Sequence, residues 1–440
     1  MQPGADPLHF DQLAAIVRDT LGGLPDARTG LNTRYSMADI AMSAFSVFFL
    51  QCPSFLDFQR TAGREKGTNN AATLFGVNNI PTDNHTRSIL DAVAPEQLYP
   101  AFDRILDRLH QTGALAQFRS INNDLLVTVD GTLYYDSENV HCPQCHVIHK
   151  SNGADSYRHM VITPAIVCPG RSDVIALSPE FIRNSDGEKK AENEIVAAKR
   201  WIQREGPRLS PLSVTVVGDD IYATQSFLEL VLESEMNFLC VCKPQSHKYL
   251  TEYVESLRQS DDLDTLTATE KVGKQKRTIH YQWTENVPIR DTADALEVGW
   301  VEVTVIGADG RKIYRNAFIT NHELSKETVA EIVAAGRARW KIENEDINTL
   351  KTKGYNLEHN FGHGKSHLSE TLATLNMLAF LFHTVLDMRD ARYTLLRTTR
   401  GRRTRFFQEL GTIACYWQHT NWDALILFMI VQLKLPDPGG

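Results

Sequence analysis

The chain has 440 residues, 42% of them hydrophobic and 23% charged, so it is long enough for two or three domains with a sizeable core. Its net charge of −8 argues against a surface that binds nucleic acid throughout, although basic patches would still allow DNA binding. No membrane span is expected, because the longest apolar run, residues 40–50, is too short. Seven cysteines and the absence of a secretion-type N-terminus favour a cytoplasmic protein with reduced thiols.

Residues 1–120 are predicted to form a helical N-terminal domain, because apolar residues recur there at three- and four-residue spacing. Residues 81–90 are predicted to start a helix, with Thr82 or Asp83 as a good N-cap residue. Together with residues 71–75, they are compatible with a DNA-binding helix-turn-helix in which Arg87 points outward. The alternative is a plain helical packing domain.

A change of pattern predicts that residues 121–243 form the first part of an α/β core. Strand patterns occur at residues 124–135, 157–167, 173–177, 212–222 and 237–242. Two helices, ending near Glu205 and Ser234, separate the last three of these strands. The order β-β-β-α-β-α-β is the one that an RNase H-like mixed sheet with helices on both faces would show.

The remaining sequence predicts an interruption of this core and a return to it. Residues 244–322 predict a β-rich insertion, because residues 271–283, 298–306 and 312–320 alternate in strand fashion. Residues 323–388 are predicted to complete the core, with one long helix from about Ser325 to Gly354 and then an apolar helix. Residues 389–440 contain an arginine-rich segment and a last helix.

The predicted long helix carries a carboxylate on its apolar side. On a helical wheel, Glu343 falls in the middle of the arc to which Ile342 and Leu350 belong. Arg339 lies one turn before it, and Glu345 faces the opposite side. An inward carboxylate costs several kcal/mol unless a cation meets it. Either a buried Arg339–Glu343 ion pair or a bound metal ion would satisfy that need.

Two aspartates complete a set of three acids on separate predicted elements. Asp130 lies in the first strand, and Asp219 lies at the end of the fourth. Asp220 competes for the second position, but Asp219 is the first acid to leave the strand. Oxygen ligands of this kind suit Mg²⁺ or Mn²⁺, and two such ions roughly 4 Å apart support phosphodiester cleavage.

Three motifs around these acids resemble the DDE signature of bacterial insertion-sequence transposases with a β-strand insertion. They are Val127-Thr-Val-Asp130-Gly-Thr, Asp219-x-x-Tyr222 and Arg339-Trp-x-Ile-Glu343. The order of elements is similar over residues 30–390, and the third motif is the most specific. The resemblance implies an enzyme that binds terminal inverted repeats in double-stranded DNA and cleaves and joins DNA strands as a dimer or larger assembly. Its metal-binding catalytic carboxylates would be Asp130, Asp219 and Glu343.

Two other functions are compatible with the same motifs: a metal-dependent nuclease without strand transfer, and a catalytically inactive, domesticated DNA-binding protein. The sequence also departs from the family pattern. Helices of the family often carry Tyr three residues before the Arg and Lys seven residues after the Glu. Here these positions are Gly336 and Leu350, and Lys351 comes one residue late.

Basic residues are expected to contact DNA phosphates, with a solvated charged surface as the alternative. The expected contacts are Arg339, Lys351, Lys353, Lys365, Arg400, Arg402 and Arg403. Among the lysines, Lys351 is the preferred substitute for the family Lys. Trp283 and Trp300 in the insertion are expected in the core, and stacking on an extruded base is the alternative.

A cysteine pair after the first strand predicts a structural zinc site. Cys142 and Cys145 form a Cys-x2-Cys motif, His149 follows four residues later, and His159 begins the next strand. These four side chains would close the tip of a hairpin around Zn²⁺. The alternative is a pair of ordinary thiols, because no second Cys-x2-Cys motif is present.

Overall fold

The structure is a computed structural model that describes residues 6–29, 33–150, 153–183, 190–273 and 275–439. It combines a helical N-terminal part with a mixed β-sheet and its helices, which confirms the predicted mixed α/β class. Apolar side chains from all of these parts pack into a continuous core.

Six helices precede the first strand. They are α1 (Phe10–Gly22), α2 (Met37–Phe49), α3 (Phe55–Ala62), α4 (Glu65–Phe75), α5 (Asp83–Leu90) and α6 (Tyr99–Gln111). Thr82 caps α5 as predicted, because its hydroxyl accepts a hydrogen bond from the backbone N–H of His85. Arg87, however, is half-buried, pairs with Asp83 at 2.9 Å and lies over the ring of Phe55. These contacts turn Arg87 inward and favour the packing alternative over a helix-turn-helix.

Nine strands form one mixed sheet with the order β10-β11-β12-β13-β9-β8-β1-β5-β6. Its central strands are β1 (Leu125–Thr128), β5 (Ala165–Val167), β6 (Ile175–Ala176), β8 (Val214–Gly218) and β9 (Asn237–Val241). Strand β1 is parallel to β8 and antiparallel to β5, and β8 is parallel to β9. The two parallel connections run through α7 (Lys190–Leu209) and α8 (Gln225–Glu233).

A smaller sheet continues the first two predicted strands beyond a bend. It contains β2 (Gly131–Ser137), β3 (His146–His149), β4 (Asp155–Ile162) and β7 (Glu180–Ile182). The predicted strand at residues 124–135 is therefore two strands, β1 and β2, that belong to different sheets. Asp130 lies at the bend between them, where its carbonyl accepts a hydrogen bond from the backbone N–H of Thr163 at 3.0 Å.

The predicted β-rich insertion begins with a helix, α9 (Lys248–Gln259), which strand patterns did not indicate. Four strands follow: β10 (Asp264–Val272), β11 (Gln275–Pro288), β12 (Glu297–Ile306) and β13 (Lys312–Thr320). Because β13 pairs with β9, these strands extend the central sheet. Trp283 and Trp300 are 2% and 5% exposed, so they are core residues and do not offer a stacking surface.

The predicted long helix is present but interrupted. It consists of α10 (Val329–Ala338), a π-helical turn (Ile342–Ile347) and α11 (Asn348–Thr352). Four helices complete the chain: α12 (Leu368–Arg389), α13 (Ala391–Thr399), α14 (Arg403–Tyr416) and α15 (Trp422–Gln432). The ring of Trp422 stacks on Phe10 at 4.2 Å, which joins the last helix to the first.

Among the described residues, helix α12 is the one helix whose length and composition would allow it to cross a membrane. However, 89% of its most apolar window is buried, and the helix contacts α2, α6 and β6. Its apolar side chains therefore serve as a central packing surface of the protein.

Candidate functional site

The two predicted aspartates lie at the same edge of the central sheet. Strands β1 and β8 are parallel, with Thr128 opposite Val217. Continuing this register by two residues places Asp130 opposite Asp219. Neighbouring strands lie about 4.8 Å apart, so the backbones of Asp130 and Asp219 leave the sheet at adjacent positions of the same edge. Both side chains are partly exposed, with 21% and 30% accessibility.

Asp220 and Asp219 differ in their contacts. Asp220 is 7% exposed, and its carboxylate accepts hydrogen bonds from the backbone N–H of Lys243 at 2.6 Å and from the hydroxyl of Ser246 at 2.5 Å. Its acceptor capacity is used to hold the loop after β9. Asp219 makes a single ion pair, with Lys243 at 3.5 Å. Asp219 is therefore the acid that is open to a ligand.

Arg339 brings Glu343 to the same edge. Its Nη1 lies 2.9 Å from Oε1 of Glu343 and 4.0 Å from Oδ2 of Asp130. These distances leave the two carboxylate oxygens at most about 7 Å apart, a spacing that two ions about 4 Å apart with metal–oxygen bonds of about 2.1 Å can bridge. The side chain of Glu343 is 52% exposed, so the prediction that it points into the interior is wrong. It points into the cleft beside Asp130.

The π-helical turn explains this difference. A π turn holds one residue more than an α turn, so the wheel drawn at about 100° per residue fails after Lys341. The same extra residue gives Lys351 the angular position that residue 350 would have in a regular α-helix. Lys351 is half-buried and pairs with Glu358 at 2.8 Å, whereas Leu350 is buried. The late lysine is thus compensated by the helix geometry.

Local packing also explains why a glycine stands at position 336. A Cβ at this position would come within 2.7 Å of the ring of Phe318, on the neighbouring strand β13. A larger side chain would therefore require the Phe318 ring to move. A tyrosine at this position would collide with that ring.

The carboxylates of this edge carry closely spaced negative charge. Burial raises the pKa of Asp130 to about 7, the charge of Glu194 adds to this effect, and Arg339 opposes it. A divalent cation would relieve this repulsion, and three carboxylates that offer only oxygen are suited to Mg²⁺ or Mn²⁺.

A further acid, Asp346, lies inside the π-helical turn and is 1% exposed. Burial raises its pKa to about 8; Thr163 opposes this shift and Asp130 contributes to it. At neutral pH this carboxyl is therefore protonated in the folded protein. It belongs to the packing of the turn, since a neutral group can be buried there at a lower cost than a charged one.

The raised pKa of Asp346 predicts that the stability of the fold depends on pH. Below pH 4 both folded and unfolded states hold its proton; as the pH rises toward about 8 only the unfolded state loses it, so stability falls. We expect Asp346→Asn to raise the free energy of unfolding by about 1–3 kcal/mol at pH 7.5, and by clearly less at pH 5.5. Denaturant unfolding in EDTA checks this, with Glu345→Gln as the control variant. An equal gain at both pH values contradicts the prediction.

A second cluster lies where the loop between β2 and β3 meets β4 and the loop after α11. It consists of buried Cys142, Cys145, His159 and His363, whose donor atoms all lie within 4.8 Å of one another. The two sulfurs are 3.8 Å apart, and the two Nε2 atoms are 3.1 Å apart. The cluster is able to hold a metal ion, as the cysteine pair predicted.

One predicted ligand is wrong and another was missed. The side chain of His149 is 82% exposed and pairs with Asp155 at 2.7 Å, outside the cluster. The course of β3 explains this, because His149 is the last residue of the strand, next to the β3–β4 turn, whereas Cys142 and Cys145 precede its first residue. His363 takes its place from the loop after α11. Its flanking residues, Gly362 and Gly364, have positive φ angles, which is the one local signal of a specially shaped loop there.

The loop that carries His363 is fixed by the N-terminal helical part. The carboxylate of Asp91 accepts hydrogen bonds from the backbone N–H groups of Lys365, Ser366 and Leu368 at 3.0–3.1 Å. A Cβ at Gly364 would lie 2.2 Å from this carboxylate. The cluster therefore joins a hairpin of the core to a loop that is itself held by another part of the chain.

Of the seven predicted DNA-contacting residues, Arg339 and Lys351 make the ion pairs described above, and the other five divide into two groups. Arg400 pairs with Glu409, and Arg403 lies between Asp387 and the hydroxyl of Tyr355. Their side chains are only 17% and 19% exposed, so both predictions are corrected: these arginines hold α14 against α12 and its neighbours. The side chains that remain exposed are Arg402, Lys353 and Lys365.

Comparisons with known proteins do not assign this site, because neither a family model nor a curated protein matches the sequence.

Proposed function

We propose that this chain is a DDE-type DNA transposase that binds the terminal inverted repeats of its element and cuts and joins DNA strands. The observation that carries the proposal is that Asp130 and Asp219 follow adjacent parallel strands, and that Arg339, paired with Glu343, lies 4.0 Å from Asp130. Each of the three acids comes from a different element, and each matches a motif of the resemblance. We further propose that the protein acts in the bacterial cytoplasm, at the nucleoid, as a dimer or larger assembly.

The strand order supports an RNase H-like core within the mixed sheet. The segment β6-β5-β1-β8-β9 has its first strand in the centre, antiparallel neighbours on one side and parallel neighbours on the other. Parallel strands that follow helical connections bring their carboxyl ends to one edge, where ligands bind in open α/β sheets. The extra strands β10–β13 follow β9 and precede the Glu-bearing helix, which is the order that the resemblance implies.

Asp130, Asp219 and Glu343 would hold Mg²⁺ or Mn²⁺ in this proposal. Bound there, two such ions supply an activated water or 3′-hydroxyl and stabilise the leaving oxygen of a phosphodiester. Arg339 keeps the carboxylate of Glu343 directed at Asp130. Lys351, whose direction is set by the π-helical turn, is the candidate contact to a DNA phosphate. The phosphate would replace the exposed Glu358 as its ion-pair partner.

A groove beside the Glu-bearing helix offers a surface for DNA. It is lined by Arg337, Trp340 and Lys341, and the Trp340 side chain is 46% exposed. Lys341 lies over the Trp340 ring at 5.4 Å. The ammonium of Lys341 is buried and donates to the carbonyl of Arg171, and Glu345 also lines the groove. The exposed groups that suit an unstacked base and a phosphate are therefore the Trp340 ring and Arg337. Exposed Arg402, Lys353 and Lys365 would add phosphate contacts elsewhere.

The Cys/His cluster is proposed to hold a structural Zn²⁺. Tetrahedral Zn²⁺ with bonds of about 2.3 Å to sulfur and 2.0–2.1 Å to nitrogen requires edges of roughly 3.8 Å between sulfurs and 3.3 Å between nitrogens. The observed distances are 3.8 and 3.1 Å. The sulfur–nitrogen distances of 3.3–3.4 Å also approach the required value of roughly 3.5 Å. All four ligand positions are filled by protein, as in structural sites.

The function is tested by incubating the whole protein with labelled DNA that flanks its gene, in Mg²⁺ and separately in EDTA. The proposal expects Mg²⁺-dependent cuts at inverted repeats, followed by joining of the liberated ends to target DNA. Cleavage without joining would identify a nuclease, and binding without cleavage would identify an inactive DNA-binding protein. Either result overturns the transposase proposal.

A further inference from the structure

A fourth carboxylate lies behind the two aspartates, on helix α7. Glu194 is 4% exposed. Its Oε1 accepts a hydrogen bond from the backbone N–H of Gly131 at 3.1 Å and another from the hydroxyl of Tyr222 at 2.8 Å. Both donors are neutral groups. Hydrogen bonds from neutral donors to a carboxylate are stronger than those between two neutral groups.

The two donors belong to the segments that carry the candidate metal ligands. Gly131 directly follows Asp130, and Tyr222 comes three residues after Asp219. A single oxygen atom of Glu194 therefore connects the bend after β1 with the turn after β8. The backbone bond from the N–H of Val129 to the carbonyl of Val217 continues the β1–β8 ladder by one residue, and the Glu194 connection links the two segments beyond it.

Close packing limits which side chains fit at the two positions that donate to Glu194. A Cβ at Gly131 would lie 2.6 Å from Cδ of Glu194, so a side chain there would push the carboxylate away. Tyr222 is fully buried, and its ring packs against Phe227 at 5.3 Å. Burial, and then the charge of Glu194, raises the pKa of Tyr222 well above its usual value, which keeps the hydroxyl protonated as a donor.

We propose that Glu194 is a positioning residue that sets the spacing of Asp130 and Asp219 by accepting these two hydrogen bonds. The inference rests on the proposed function, in which both aspartates hold metal ions. Residues that orient metal ligands typically change metal affinity or activity 10–100-fold when removed. The inference also assigns a role to Tyr222: its hydroxyl links the second aspartate's turn to Glu194.

The test compares Glu194→Ala, Glu194→Gln and Tyr222→Phe with wild type in the whole chain. Mn²⁺ binding is measured by calorimetry, with Glu343→Gln identifying the binding that belongs to the carboxylates, and strand cleavage is measured in Mg²⁺. Glu194→Ala is expected to lower Mn²⁺ affinity and cleavage rate about 10–100-fold. Glu194→Gln keeps an oxygen acceptor and is expected to stay within about 3-fold of wild type, and Tyr222→Phe to fall between them.

Equal losses in the Gln and Ala variants would mean that the charge matters and the hydrogen bonds do not, which overturns the inference. Unchanged affinity in Glu194→Ala overturns it as well. If Glu194→Ala does not fold, Glu194→Gln and Tyr222→Phe decide: the inference requires the Phe variant to be the weaker of the two. If wild type binds Mn²⁺ but cuts no DNA, the proposed function fails, while the affinity series still tests the positioning role.

Discussion

Replacing Glu343 with Gln is expected to reduce Mg²⁺-dependent DNA cleavage by about 10³-fold or more, because a metal ion contributes several kcal/mol to the charge that develops in the transition state. The amide keeps the size of the side chain but removes the negative charge that binds the cation. The Arg339 ion pair of 2.9 Å is lost as well, so the guanidinium would remain near Asp130 alone. Cleavage of a labelled inverted-repeat substrate measures the loss.

Glu331→Gln is the matched control for this prediction. Glu331 is exposed in the first turn of α10, twelve residues before Glu343 in the same interrupted helix. The same chemical change there is expected to leave cleavage within about 3-fold of wild type, since surface substitutions away from a site have small effects. DNA binding, followed by a mobility shift in Ca²⁺, should remain in both variants. Cleavage by Glu343→Gln at the wild-type rate would remove Glu343 from the catalytic set.

The elements that the sequence predicts well are those whose pattern is local. Buried β-branched runs located the strands that end at Asp130 and Asp219, and the parallel pairing of those strands then follows from helices between them. Strand β10 was missed because it lies at the edge of the sheet and its sequence, Asp-Thr-Leu-Thr-Ala-Thr-Glu-Lys-Val, has few apolar residues. An edge strand needs no continuous apolar pattern, since only one of its sides pairs with the sheet.

Features that depend on tertiary contacts could not be predicted in the same way. The wheel placed Glu343 inside because it assumed α-helical geometry throughout, and one π turn changed the direction of every residue after it. Arg403 belongs to an arginine-rich segment, but the Asp387 that pairs with it comes from another helix. Glu194 gave no signal, because its partners Gly131 and Tyr222 are 63 and 28 residues away.

Removing the metal of the Cys/His cluster is expected to destabilise the whole protein, because His363 lies 218 residues from Cys145 and a shared ion would tie their segments together. The purified protein should contain about one equivalent of zinc. Chelation, or the substitution Cys145→Ser, should lower the midpoint of thermal unfolding by about 5–10 °C, since about 2–4 °C is lost per kcal/mol in domains of moderate size.

His149→Ala provides the control for the zinc site. His149 follows the same Cys-x2-Cys motif and has the same chemistry as His363, but its side chain is 82% exposed and bonded to Asp155. It should therefore leave zinc content and the thermal midpoint unchanged, whereas His363→Ala should lose zinc and shift the midpoint. Less than about half an equivalent of zinc in wild type, or equal losses in the two histidine variants, would contradict the assignment.

Because Asp91 holds the loop of His363 through three backbone N–H groups, Asp91→Ala should weaken zinc retention without removing a ligand. That result would show that the N-terminal helices preform the fourth coordination position.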